Sequence, residues 1–588
     1  MDFIKNYRLK EDDNGYTLIL YLDMGLTEFA DEFGSKREEQ IHNLDKLIKD
    51  FIKNNFPHIR INTVKLMVGT IAVATISLQG LTGFAEELKP KAKPAFNMTY
   101  SYFGSGRDII ESLDRTGHLL DVVSPTYFDL TADGNLKITE LFDPYTIKLM
   151  QNRGFNVVPF LSNHWDRDIG RAALKNKDTL IKDIVSVINT YNLDGINVDI
   201  ENLTLEDRND FTLFIKELRK AIPKDKEVSV AVAANPHGYT GGWYGSYDYT
   251  KLAEHADYLM IMSYDEHYET GDPGPIASLG FVEKSIKYAL KYAPPSKIVV
   301  GLPFFGRYWK DDGSIKGKGI SLIRIQELIK KYKGTITFDP YSKSPRVNIH
   351  ITGYERDIPK GRYTIWFENK ESILYKLNLI EKYNLKGAGS WSLNQATQDI
   401  WNIYNQWANS SRVFIDVREG WARAPIISIS ERGWMIGTRD FYFEPNRALS
   451  RAEAATIIVR ILGLKDNHSP IPYFIDIPYN HWARRDIEIV LQHGLMKGMG
   501  NHRFAPDEPL TREEMAVLLT RLLKISPSPR IQSPFKDLDP SSWSYPYIVS
   551  MVKENIFQGY EDETFRPKEK VTRAQMAALL DRIKDILP

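Results

Sequence analysis

The 588-residue chain contains no cysteine, which excludes a disulfide framework, Cys-ligated zinc and thiol chemistry together. It has no excess charge of either sign, since 76 basic residues balance 76 acidic ones. Without a long-range positive field, nucleic acid is not an expected partner. Long hydrophobic runs are also scarce. With 43% hydrophobic and 26% charged residues, the composition excludes a polytopic membrane protein and wholesale disorder. What is abundant is aromatic: 12% of the chain, with 31 Tyr and 11 Trp, a lean that suits surfaces stacking on the apolar faces of sugars. At roughly 150 residues per domain the length predicts about four domains, with room for one large barrel.

Residues 1–63 are polar and mixed in charge, with an alternating strand at Tyr16–Asp23 followed by a helix. Leu66 to Ala85 then runs twenty residues without a charge, about the length that crosses a bilayer. Thr70, Thr75, Ser77, Gln79 and Thr82 dilute it, and Lys65 and Glu86-Glu87 flank it. Gly83-Phe84-Ala85 supplies the small residues a signal peptidase prefers. Residues 64–86 are therefore expected to form a signal or anchor helix behind a long cytoplasmic head, with a buried core helix as the other reading. Lys46, Lys49, Lys53, Arg60 and Lys65 favour an inside N-terminus, while Lys89, Lys91 and Lys93 oppose it.

A Lys/Pro linker at 87–94 leads into residues 95–408, where short apolar runs alternate with helical stretches. The runs are Met98–Phe103, Val122–Tyr127, Asn156–Leu161, Gly195–Glu201, Val228–Ala233, Tyr258–Ser263, Ile298–Leu302 and Gly387–Trp391. Eight strands with helix-length spacers predict an α/β protein built on a closed (β/α)8 TIM barrel. The longest spacer, about 306–365, has alternating and Gly-rich patterns and predicts a small insertion on the catalytic rim.

From about 413 onward the sequence repeats. Trp421, Trp482 and Trp543 are spaced 61 and 61 residues apart, as are Ser450, Thr511 and Thr572. Three mostly α-helical copies are expected, at 413–464, 472–526 and 533–588. Each has an Asp before its Trp (Asp416, Asp476, and Asp537 or Asp539) and a Phe-x-Pro turn at 443, 504 and 565. A second helix follows, opened by a capping box: Ser450 with Glu453, Thr511 with Glu514, Thr572 with Gln575.

In Leu193–Glu201, strand alternation puts Asn197, Asp199 and Glu201 on one face and Ile196, Val198 and Ile200 on the other. A half-exposed antiparallel strand alternates in the same way, but in a barrel the polar face points inward and its last member reaches the C-terminal mouth, where barrel active sites form. The pattern Asp-x-x-Asn-x-Asp-x-Glu at 194–201 resembles the signature of glycoside hydrolase family 18, whose usual form has Asp at the Asn197 position. Met260-Ile-Met-Ser-Tyr-Asp265 is similar to that family's sixth-strand element, and Gly389-Ser-Trp391 to its last-strand Trp. Asp265-Glu-His267, Gly274–Ala277, Gly301–Gly306 and Ile365–Glu368 resemble most the branch that lyses spore cortex and bacterial walls, including spore germination N-acetylglucosaminidases.

The resemblance implies substrate-assisted, retaining cleavage of β-1,4 bonds after N-acetylglucosamine, in which the substrate's own amide oxygen attacks the anomeric carbon. Glu201 is then the proton donor, Asp199 orients the acetamide N–H, and Tyr264 binds the acetamide oxygen. Trp391 stacks beneath the sugar, with Asn197, Asp265 and Asn163 as further substrate contacts; Asp194 belongs to the scaffold. Asn197, in place of Asp, removes a like charge beside Asp199 and should alter the pH profile. No cofactor or metal is implied, and His237, His255, His267 and Glu266 lack metal-ligand spacing. Trp165, Trp243, Tyr244 and Trp309 are either sugar subsites or loop packing. The 413–588 copies resemble S-layer homology (SLH) domains, which implies grip on an acidic secondary cell-wall polysaccharide through Arg451, Arg512 and Arg573. Ser450 and Gln575 depart from the repeat consensus, so one groove is expected to be weakened. The expected whole is an exported, wall-anchored enzyme acting on peptidoglycan or spore cortex, with a single membrane anchor as an option. The alternatives are a chitinase and a catalytically silent sugar-binding wall protein.

Overall fold

The computed structural model describes residues 4–12, 15–22, 61–68, 71–77, 96–117, 119–409, 412–418 and 420–587. Residues 1–88 and 89–588 form two compact units. In the first, β1 (Ile4–Asp12), β2 (Gly15–Leu22), β3 (Ile61–Val68) and β4 (Ile71–Ser77) make one sheet in that order. β2 is the strand expected from Tyr16; the helix expected after it lies outside the described residues.

The signal or anchor helix requires correction. Residues 66–68 and 71–77 of the apolar segment are β-strand, paired antiparallel with Leu66 opposite Ala74 and Val68 opposite Ile71. Nine of the seventeen residues 61–77 are β-branched, a composition that favours extended backbone over helix. Among the described residues no helix is long and apolar enough to cross a membrane. Residues 78–95, with Gly83-Phe84-Ala85 and the linker, lie outside the described set.

The second unit begins with the barrel. Its first strand is β5 (Phe96–Ser101). The second is β6 (Val122–Pro125), continuing through Thr126-Tyr127 into β7 (Phe128–Leu130), with β8 (Leu136–Ile138) as an antiparallel extension. The third is β9 (Asn156–Val157), running through Val158-Pro159 into β10 (Phe160–Ser162). β11 (Gly195–Asp199), β12 (Glu227–Ala233), β13 (Tyr258–Met262) and β14 (Ile298–Pro303) follow. β6 pairs with β9 and β7 with β10, while β20 (Gly387–Trp391) pairs with both β14 and β5, so eight parallel strands close a ring. All eight strands read from the sequence are present.

Alternation on β11 sets the barrel's two layers. Ile196, Val198 and Ile200 are fully buried and join a core with Ile184, Ile188, Phe211 and Phe214 of the flanking helices. Gly195 has φ +153°, and a Cβ there would meet the Glu227 carbonyl at 2.3 Å, so only glycine lets β11 approach β12 at its start. Between β14 and β20 an insertion forms a second, antiparallel sheet. Its strands are β15 (Phe305–Lys310), β16 (Lys318–Ser321), β17 (Thr335–Asp339), β18 (Ser344–Ile351) and β19 (Gly361–Trp366), in the order β16-β15-β19-β18-β17.

The repeats close into a second ring. The second helix of each copy packs on the first helix of the next: Arg451–Leu462 on Arg484–Gln492, Arg512–Leu522 on Tyr545–Lys553, and Arg573–Ile583 back on Arg423–Glu431. Residues 61 apart, Leu449, Leu510 and Val571, exchange backbone hydrogen bonds cyclically at 2.8–2.9 Å. All three capping boxes form, including the Gln575 version. Asp416, Asp476 and Asp537 each accept two backbone N–H groups from their own Phe-x-Pro turn, which settles the third copy on Asp537. Phe441 and Tyr442, where the other copies have His502-Arg503 and Glu563-Thr564, dock the first copy on the barrel. Tyr442 donates to Glu371 at 3.0 Å, the Phe441 ring packs 4.8 Å from Tyr375, and Lys370 donates to the Ile415 carbonyl at 2.8 Å.

Arg451, Arg512 and Arg573 lie inside this ring rather than presenting their guanidinium groups to a polymer. Arg451 donates to the Phe504 and Lys497 carbonyls, Arg512 to those of Phe565 and Gln558, and Arg573 to those of Phe443 and Ile436, all at 2.7–2.9 Å. Each also stacks on the Phe of the copy it clips, 4.6–4.8 Å from the ring centroid. Five fixed donors on a planar fork suit this task of pinning one copy to the next. Arg512→Ala should leave buried carbonyls unpaired and cost the repeat region about 2–5 kcal/mol. Scanning calorimetry of the full chain would show this as a lowered transition, and an unchanged transition would remove the interlock.

Candidate active site

The mouth of the barrel opens into a cavity of about 710 Å³ lined by Tyr100, Asp199, Glu201, Met262, Tyr264, Asp265, Phe305, Arg307 and Trp391, with Lys318, Ser321, Arg324 and Asp357 added by the insertion. Five residues singled out in the sequence therefore share one space: Glu201, Asp199, Tyr264, Asp265 and Trp391.

Asp199 ends β11 at 6% exposure, and its Oδ1 has no hydrogen-bond partner. Burial pushes its carboxyl up to about 7, against the pull of His164. Glu201 is raised well above the ordinary glutamate range, first by loss of water and then by the charges of Asp199 and Asp265. Protons on such a pair are shared in stepwise titration, so near neutrality the site holds one carboxyl and one carboxylate. Tyr264 is held protonated by burial and by nearby acidic and phenolic groups. A Cβ on Gly301 would come within 2.9 Å of the Tyr264 ring, so the glycine in β14 makes the room for that phenol.

Two expected substrate contacts are corrected. Asn163 is 1% exposed, and both ends of its amide are engaged. Its Oδ1 accepts the Glu201 N–H at 2.8 Å, and its Nδ2 donates to the Glu201 carbonyl at 2.9 Å and the Asp166 carbonyl at 2.7 Å. It fixes the backbone of Glu201 rather than meeting a sugar. Asn197 is fully buried below the cavity, accepting from the Tyr100 hydroxyl at 2.9 Å and donating to Ser229 at 2.8 Å. Its inward parity is as read, but Asp199 above it closes the route to the cavity. Asp194 holds the Val157 N–H at 2.9 Å, a scaffold contact.

Asp265 sits at φ +58° and is gripped by Arg307, whose Nε and Nη2 both lie 2.8 Å from its Oδ1. Arg307 went unread in the sequence; its only signal was its place directly after the Gly301–Gly306 segment. Tyr100 also went unread: in the alternating stretch Asn97-Met98-Thr99-Tyr100-Ser101 it shares a face with Met98, where an aromatic reads as core. The Trp391 ring is wedged between Tyr100, Tyr102 and Phe160 at 5.3, 5.5 and 6.1 Å. Trp309 is buried with its N–H on the Gly271 carbonyl, a packing role. Trp165, Trp243 and Tyr244 form a row of rings at 5.0 and 4.7 Å, with Trp165 48% exposed. Asn163→Ala should cost about 1–3 kcal/mol and slow turnover about 10- to 100-fold by loosening Glu201. Thermal unfolding and glycosidase assays on one preparation check both, and unaltered turnover would show that Glu201 needs no clamp.

Residues 98–396 match Glycosyl hydrolases family 18, and residues 414–455, 476–516 and 534–577 match the S-layer homology domain. The chain is 27% identical over 247 residues to the uncharacterized glycosylase YvbX of Bacillus subtilis, covering 40% of this chain and 69% of that protein. Identity to the cortical fragment-lytic enzyme of Bacillus anthracis is 25% over 289 residues, 47% of this chain and 65% of that one. A cellulosome-anchoring protein of Acetivibrio thermocellus is 35% identical over 148 residues, 24% of this chain and 33% of its own length. The chain spans about half to two-thirds of the length of the first five curated relatives. With the family matched from β5 to the residues beyond Trp391, and with a carboxyl pair at the barrel mouth, the chain belongs to glycosyl hydrolase family 18 and is a glycosidase with three S-layer homology domains behind its catalytic barrel.

Proposed function

We propose that the enzyme cleaves β-1,4 bonds following N-acetylglucosamine in peptidoglycan or spore cortex, with retention and with the substrate's acetamide as nucleophile. The observation that carries this reading is the partnerless Oδ1 of Asp199, buried beside a raised Glu201 carboxyl and the Tyr264 phenol. An acetamido group complements that set: its N–H fills the empty acceptor on Asp199, and its carbonyl accepts from Tyr264 while turning its oxygen on the anomeric carbon. Asp265, neutralised by Arg307, is left as a polar contact. Similarity to cortical fragment-lytic enzymes supports a wall glycan as the substrate.

The chemistry runs in two displacements. Glu201 gives its proton to the glycosidic oxygen as the C1–O bond breaks and the amide oxygen bonds to C1, forming an oxazolinium ion whose positive charge faces Asp199. Glu201, now a carboxylate, takes a proton from water, which attacks C1 and reopens the ring. Two inversions give net retention. Trp391 forms the floor under the reacting sugar, and Trp165, exposed and backed by the half-buried Trp243 and Tyr244, offers a further stacking face.

Anchoring rests on the SLH ring. The groove of the first copy holds about 610 Å³ and is lined by Trp421, Arg418, Asn446, Arg447 and Ala574 together with two carboxylates, Asp416, which accepts two turn N–H groups, and Glu444, which pairs with Arg447. In the third copy Glu513 takes the place that Ala574 has in the first, and it accepts from Ser544 at 2.8 Å and from Lys568. We therefore read the first groove as the seat of an acidic polysaccharide: its carboxylates are engaged by turn N–H groups and by Arg447, and Ala574 leaves open the space that Glu513 takes in the third copy.

Glu201→Gln should lower reducing-end release from peptidoglycan by about 10²–10⁴-fold with wall binding intact; undiminished release would refute the acid role. Because Asp199 works charged and titrates at about 7, kcat/KM should fall as pH drops through about 7 and hold above it until Glu201 loses its proton. An acid limb near the ordinary aspartate range of about 4 would contradict this. Trp421→Ala should reduce pelleting of the full chain with walls about tenfold or more, and equal pelleting would move the anchor elsewhere.

A further inference from the structure

Beneath the site lies an acid that the reaction as described does not use. Glu227 opens β12, and its Oε1 accepts from the Tyr258 hydroxyl at 2.6 Å and from Ser229 at 2.9 Å. Ser229, its only proton donated, accepts from Asn197 Nδ2 at 2.8 Å, and Asn197 Oδ1 accepts the Tyr100 hydroxyl at 2.9 Å. Ser229 and Asn197 are fully buried and Tyr100 is 1% exposed. A hydroxyl has one proton and an amide has distinguishable ends. A carboxylate acceptor at the foot of this chain therefore dictates the direction of every bond above it. At its top, Tyr100 lines the cavity together with Asp199.

We propose that Glu227 is a positioning residue for the reaction: through Ser229 and Asn197 it commits the Tyr100 proton downward and turns the Tyr100 oxygen, not its proton, towards Asp199. Asp199 is thereby kept without a protein donor, which matches its partnerless Oδ1, and its acceptor stays vacant for a substrate N–H. The inference rests on the acetamido reading above. The groups facing Asp199 are Tyr100 from β5, Tyr264 beyond β13, Tyr247 beyond β12, His164 beyond β10 and Glu201 just beyond its own strand. Those facing Glu227 are Tyr258 and Asp257 at β13, Lys386 before β20, and Tyr100. Of all these, Tyr100 alone faces both acids. Burial holds the Glu227 carboxyl up at about 7, so it is the charged form that sets the chain near and above neutrality.

The test is a double-mutant cycle read as kcat/KM and KM against pH for reducing-end release from peptidoglycan by the full chain. In Glu227→Gln the new amide can donate to Ser229, the chain reverses, and the Tyr100 proton is freed for Asp199. Donation to the charged form favours it, so the acid limb should move to lower pH by about half a unit or more. KM should rise as Tyr100 competes with the substrate amide. In a Tyr100→Phe background the same substitution should move neither quantity. Unchanged values in Glu227→Gln would overturn the proposal. So would an equal shift in both backgrounds, which is what loss of a negative charge acting through space produces. Should Glu227→Gln not fold, Ser229→Ala breaks the same chain and should shift the limb in the same direction, and no shift there would also overturn it. Glu201→Gln, assayed alongside, separates the two ideas: wild-type turnover in that variant would sink the acetamido reading whatever the Glu227 variants do.

Discussion

A carboxylate largely removed from water, with no donor on its buried oxygen, is disfavoured in its charged form, and Asp199 is held in that condition. Most of what surrounds it maintains the imbalance. The apolar side of β11 is locked beneath two helices, so the strand cannot rotate its acids outward. Asn163 pins Glu201 two residues beyond the strand end, where the Asp199 charge raises its carboxyl further. Arg307, reaching in from the insertion, holds the third acid of the site, Asp265, through two 2.8 Å contacts. The outcome is one proton and one charge on two neighbouring carboxyl groups, the division of labour that acid catalysis with charge stabilisation requires.

Closure operates twice in this chain. The barrel closes because the second and third strands are each continuous across a local break, so β6 meets β9 while β7 meets β10. The SLH ring closes because three arginines clip successive turns and the last clips the first. The two rings meet where the first copy departs from the repeat pattern: Phe441 and Tyr442 replace the polar residues of the other copies and dock against Tyr375 and Glu371. Catalytic and anchoring regions are thus joined through packed side chains as well as through the chain itself.

Legibility in the sequence followed the range of the interaction. The eight strands could be read because alternation and spacing are local properties, and the capping boxes because they span four residues. Three misreadings share the opposite cause. The Leu66–Ala85 run was uncharged and long enough for a membrane helix, but residues 66–68 pair with β2 and β4 and residues 71–77 pair with β3, and a count of apolar residues is blind to pairing. Asn163 and Asn197 were polar and inward, which a sugar contact and a buried strut satisfy equally; only burial and the direction of their hydrogen bonds distinguish them. The repeated arginines were conspicuous by period, but period does not tell a ligand from an interlock.

The sequence by itself determined the barrel, the threefold repeat and the placing of Asp199 and Glu201 on one strand face, because each follows from periodicity within a few residues. Only the tertiary structure decided which acids lose their water, that Arg307 guards Asp265, that Tyr100 and Glu227 lie on one hydrogen-bonded line, and that the SLH arginines face inward. Those outcomes depend on groups tens to more than a hundred residues apart meeting in a water-poor interior, where a single missing or added donor outweighs any local preference.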